Sequence, residues 1–218
     1  MRKVKRPEIP RSLVVNAAQW TEDLMNEIDK MGSYSKVDSE FKEKYRQNDV
    51  KDALEKMYTC HCCYCESIIG LSTYGRIEHL KPKSLTEFHK YSFDWNNLHW
   101  CCEICNTSYK KTNWDFVNPI LDPAIDEINQ YLKLNLQNGE YEAINNNPRA
   151  LTTINHTGLN KDRLTKARHK LIIRIIKDYK VYKKCGDANK FLIDLTLLKE
   201  DCDYPGLYDE LITYLAAL

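Results

Sequence analysis

The chain has 218 residues, enough for one large domain or two small ones. Hydrophobic residues make up 43% and charged residues 29%, with a formal net charge of +1. That balance excludes a disordered chain and a globally basic nucleic-acid binder, so any nucleic-acid surface must come from local clustering.

Residues 1–59 read as a helical scaffold. Thr21 precedes EDLMNEIDKM, with acids in its first turn and Gly32 at its end, which predicts a helix from that point. A second helix is expected over Val37–Tyr45. A third, Val50–Tyr58, carries Val50, Leu54 and Met57 on one face and runs into a cysteine cluster. Residues 60–118 hold that cluster and a second one. From 119 to 218, a Pro-rich loop leads to QYLKLNL and YEAI flanking Asn138-Gly139, the signature of a β-hairpin. NNNPRALTTINHTGLN reads as a loop. Asn160 then caps the longest predicted helix, Lys161–Lys184, and two more follow at Ala188–Lys199 and Gly206–Ala217. The three segments are expected to pack as one unit, mainly α, around a small metal-stapled insert. No apolar run approaches the ~18–20 residues of a membrane span, and MRKVKRPEIPRS has no apolar signal-peptide core, so a cytoplasmic protein is expected.

Seven of the nine cysteines sit in two tight groups, Cys60–Cys65 and Cys101–Cys105. Clustered thiols at Cys-x-x-Cys spacing suit a tetrahedral zinc, and two such pairs about forty residues apart are a strong signal. Cys62/Cys65 with Cys102/Cys105 make one such set. Cys60/Cys63 also has the spacing, so the register is open on these grounds alone. Cys185 and Cys202 lie far away and read as ordinary small apolar residues.

Between the groups stands Glu78-His79, flanked by Ile77 and Leu80 and ended by Pro82, as on a short strand. A histidine near its ordinary pKa is a suitable general base at neutral pH, and a carboxylate with an amide downstream suits Mg²⁺ or Mn²⁺.

These residues, in the order Cys-x-x-Cys, acidic-His, Asn-Leu, Cys-x-x-Cys-Asn, Lys, resemble an HNH endonuclease of the zinc-bearing ββα-metal type. The flanking IEHLKPKS, FDWNNLHWCCEICNTSYKK and ILDP…TINHTGLN are similar to the HNH subunits (PtuB-like) of Septu-type anti-phage systems, which also occur in retron-linked versions. The resemblance implies a fold that is mainly α with an embedded ββα-metal motif and a β-hairpin. It implies structural Zn²⁺ on Cys62, Cys65, Cys102 and Cys105, with catalytic Mg²⁺ or Mn²⁺ on Glu78 and Asn106. His79 would be the base and Asn97 would brace its segment. Implied partners are DNA or RNA, an ABC-type (PtuA-like) ATPase, and in retron-linked versions a reverse transcriptase with its msDNA. The chain itself has no Gly-x-x-x-x-Gly-Lys-Ser/Thr loop.

Arg76, Lys81, Lys83, Lys110 and Lys111 surround the motif and would contact phosphates. The basic helix from Arg163 to Lys184 could follow nucleic acid, face an acidic partner or be solvated. His99, His89 and His61 are competing candidates for catalytic or ligand roles. A zinc-stabilised nucleic-acid-binding module without catalysis is the alternative reading.

Overall fold

In the computed structural model, which describes residues 1–70 and 74–218, Pro10 starts the first helix. Its carbonyl accepts from the Leu13 and Val14 amides, and α1 runs over Arg11–Met31 to Gly32. The expected start at Thr21 is therefore ten residues late. The Thr21 hydroxyl donates back to the Ala17 carbonyl inside the helix instead of capping it. Of the expected Val37–Tyr45 helix a single turn forms, α2 (Ser39–Lys42), capped by Asp38 and preceded by a 3₁₀ turn at Tyr34–Lys36. Helix α3, Asn48–Met57, buries Val50 and Leu54 as its spacing requires.

Strands β1 (Gly75–His79) and β2 (Leu98–Cys102) pair antiparallel, with Glu78 opposite His99 and His79 opposite Leu98. Gly75 faces Trp100 so closely that a Cβ there would lie 1.9 Å from the indole. A π-helical segment, Ile104–Lys110, follows directly. The second hairpin, β3 (Leu132–Leu134) with β4 (Tyr141–Ala143), forms where Asn138-Gly139 predicts it.

The stretch read as a loop after β4 is largely helix α4, Pro148–Thr157. Asn147 accepts a hydrogen bond from the Ala150 amide, Pro148 stands in the first turn, and Gly158 ends the helix in the left-handed region. Cap, Pro and Gly are all visible in the sequence, and Pro is favoured at a first helical position, yet the run of Asn and Pro reads as a loop. Asn160 does not cap α5 (Asp162–Lys184). Its amide instead pairs with both backbone groups of Tyr141, tying α5 to the hairpin. Helices α6 (Ala188–Leu198) and α7 (Pro205–Ala216) complete a mainly helical molecule. Buried side chains from Met1 to Leu215 form one connected core. Among the described residues, no helix is long and apolar enough to cross a membrane.

Candidate active site

The two cysteine groups meet at the end of the first hairpin, where β2 carries Cys101 and Cys102. Sulfurs of Cys62, Cys65, Cys102 and Cys105 lie within 4.8 Å of one another, and all four residues are buried. Cys65 Sγ is 3.9 Å from Cys102 Sγ. Zn–S bonds of ≈ 2.3 Å imply a tetrahedral edge of roughly 3.8 Å, so the four thiols fit such an ion. The Cys105 amide points at Cys102 Sγ (3.4 Å), as the bend of a metal knuckle requires. The Cys101 thiol donates to the Cys102 carbonyl at 3.4 Å, and the neighbouring thiols, Cys101 first and then Cys105, bring Cys102 down to about 5. The four converging thiols are those of the Cys62/Cys65 and Cys102/Cys105 pairs, whereas Cys60 is exposed. Cys63 belongs to a second, three-thiol group with Cys62 and Cys101.

The same hairpin lines a cleft of about 620 Å³, with Glu78, His79 and Asn106 among its residues. Asn106 Nδ2 donates to Glu78 Oε2 at 2.7 Å, and the Tyr64 hydroxyl lies 3.4 Å from Oε1. Burial pushes the Glu78 carboxyl up to about 7, against the opposing charge of Lys110. A carboxylate oxygen beside an amide is a hard donor pair that can hold Mg²⁺ or Mn²⁺, once the near-symmetric amide presents its oxygen.

His79 Nε2 lies 2.9 Å from the Ser92 carbonyl. A carbonyl can only accept, so Nε2 carries the proton and Nδ1 keeps its lone pair. Burial, then the charge of Lys83, pushes the imidazole down to about 3, so the ring is neutral but titrates well below the ordinary pKa that the sequence predicts for the base. Asn97 braces the strand end that carries this ring. Its Oδ1 accepts from the Lys81 amide (2.7 Å), while Nδ2 donates to the Lys81 and Tyr91 carbonyls (3.1 Å each).

The expected cations separate. Arg76, Lys83 and Lys111 line the cleft. Lys81 lies instead over the Tyr91 ring, 4.5 Å from its centroid. Lys110, expected at the surface, is fully buried with its ammonium 3.4 Å from Glu78 Oε1. The helical turn ending in Lys110 packs that side chain under the carboxylate, so it cannot reach a phosphate. Tyr45, Arg46 and Lys51 also line the cleft and were missed. They belong to the α2–α3 region, more than twenty residues before Glu78, and no local pattern marks them.

The competing histidines lie elsewhere. His99 is fully buried between the Tyr58 hydroxyl (2.5 Å) and Arg6 (3.3 Å), kept neutral by burial and by Arg6. His89 stacks on Tyr34. His61 Nε2 donates to the Cys202 carbonyl at 2.8 Å. In the basic helix, Arg168 is buried and donates to the Gly139 and Leu159 carbonyls.

A thiol-stapled hairpin with Glu, His and Asn in one cation-lined cleft can be set beside known proteins. Over 87 residues the chain is similar to the Septu protein PtuB of Bacillus mycoides (strain KBAB4), at 36% identity. The match covers 35% of this chain and 30% of that protein. No family model matches.

Proposed function

We propose that the chain is a metal-dependent endonuclease of the HNH type, acting as the nuclease of a Septu-like anti-phage complex. The observation that carries this reading is His79. Its Nε2–H is spent on a backbone carbonyl, and its ring lines the same cleft as Glu78 and Asn106. Nδ1 accepts a proton from water as the water oxygen bonds to phosphorus. The phosphorus–oxygen bond to the leaving group breaks, its electron pair stays with that oxygen, and solvent protonates it. Glu78 and Asn106 would hold Mg²⁺ or Mn²⁺, which neutralises phosphate charge when bound. Zn²⁺ on the four thiols would be structural. The similarity to PtuB supports the defence setting; an ABC-type ATPase is the partner in this reading. Retron partners draw no support from that similarity.

A second reading, a binding module without catalysis, is favoured by Lys110, which already neutralises Glu78. One experiment separates the two. Purified protein is incubated with plasmid DNA, single-stranded DNA and tRNA in Mg²⁺ or Mn²⁺, alongside His79→Ala. The nuclease reading expects His79→Ala to stay folded and zinc-loaded while losing about 10²–10⁴-fold in rate. Cleavage that persists unchanged in His79→Ala would falsify it. Ends bearing a 5′-phosphate mark attack by water, whereas a 2′,3′-cyclic phosphate marks attack by an RNA hydroxyl.

A further inference from the structure

Lys83 stands apart from the other cations of the cleft. Arg76 and Lys111 are solvent-exposed or nearly so, and Arg76 pairs with Glu103 at 2.8 Å. The Lys83 ammonium is tied down instead. It donates to the Tyr45 hydroxyl at 3.0 Å and to the Lys42 carbonyl at 3.1 Å. An ammonium has three N–H donors; that of Lys83 lies 4.2 Å from the Tyr45 ring centroid. Among the described residues these two oxygens are its only hydrogen-bond acceptors, so one N–H remains for the cleft that Lys83 lines. Tyr45 is buried, and its ring meets His79 edge-on with centroids 4.6 Å apart. A single tyrosine therefore touches both the general base and the ammonium beside it.

A lysine that follows a nucleic-acid backbone gains from staying mobile and hydrated. One immobilised next to the base loses side-chain entropy, and that cost is offset where charge must be met at one fixed point. We propose that Lys83 donates its third hydrogen bond to a non-bridging oxygen of the phosphoryl group under attack, and that Tyr45 is the residue that positions it. This rests on the nuclease reading. It makes the N-terminal helical region part of the active site, because Tyr45 and the Lys42 carbonyl both come from there.

The test compares Lys83→Met, Lys83→Arg and Tyr45→Phe with Lys51→Ala, a cleft lysine with no such tether among the described residues. Steady-state kinetics use a fluorescent oligonucleotide that the wild type cuts; affinity is read by anisotropy across a salt series, and folding by thermal melts. Lys83→Met is expected to lower kcat about a hundredfold with affinity changed by no more than about twofold. Lys83→Arg restores charge but not the tether, and recovers part of that loss. Tyr45→Phe keeps the ring and removes the hydroxyl, and lowers kcat roughly tenfold with an unchanged melt. Lys51→Ala weakens affinity and reduces the salt slope by about one. Lys83→Met behaving like Lys51→Ala, or Tyr45→Phe leaving kcat intact, overturns the proposal while the nuclease reading stands. A wild type inert on every substrate, or as active as its His79→Ala variant, removes both.

Discussion

The thiol cluster and the Glu78–His79 cleft share one hairpin and are built on opposite principles. The cluster is dry and assembled from two short knuckles, each folding its own ligands together. The cleft is open, and its groups come from α2–α3, from both strands and from the π-helical turn. Self-contained spacing suffices for a structural metal site, whereas a reactive site needs partners that only the fold can deliver. Lys110 joins the two, since it ends the turn that begins beside Cys105 and lies under Glu78.

The largest expected effect is on the cluster. Cys65→Ser, or stripping the metal with a strong chelator, should abolish the cooperative melt and release a single zinc equivalent, because metal binding there is folding free energy. A stable, zinc-free wild type would break the distinction between the regions. Next is Lys110→Met, which strands the buried carboxylate. Denaturation should show a loss of about 3 kcal/mol, and added Mn²⁺ should raise its melting temperature more than it raises the wild type's. Equal Mn²⁺ responses would show that the Glu78 region does not bind the ion. A smaller effect comes from behind the cleft, where a Cβ on Gly158 would collide with the Tyr109 ring of the π-helical segment. Asn147→Ala removes the cap of α4 and should cost about 1 kcal/mol, read by urea denaturation.

The smallest effect concerns the approach to the first knuckle. Glu200 accepts from Arg2 and from the Thr59 hydroxyl, and these partners, Arg2 first, hold its carboxyl down at about 2. Because its folded pKa lies below the ordinary 4.5, its contribution is present above that pH and fades as pH falls toward about 2. Glu200→Gln should therefore flatten stability against pH within that window alone. The group is part-exposed, so the change is small.

Legibility followed the same division. The Cys-x-x-Cys pairs, the strand at Glu78-His79 and the Asn138-Gly139 hairpin were readable because each is set by neighbours in sequence. Helix α4 carried readable signals too, yet the polar stretch around Asn147-Pro148 reads as a loop. Thr21 misled for the opposite reason, since a hydroxyl that bonds back along a helix looks like a cap in sequence. Lys110 shows the limit most plainly: a lysine beside another lysine reads as surface, and only the packing of one helical turn puts its ammonium beneath a carboxylate.

By itself, the sequence marked two clustered thiol pairs and a mainly helical frame, because spacing and periodicity act over a few residues; the roles expected of Glu78, His79 and Asn106 came from the family resemblance. Tertiary structure alone decided which thiols converge, which nitrogen of His79 keeps its lone pair, and which cations face the cleft. Those depend on a carbonyl at Ser92 and a ring at Tyr45, placed beside His79 by chain folding rather than by adjacency.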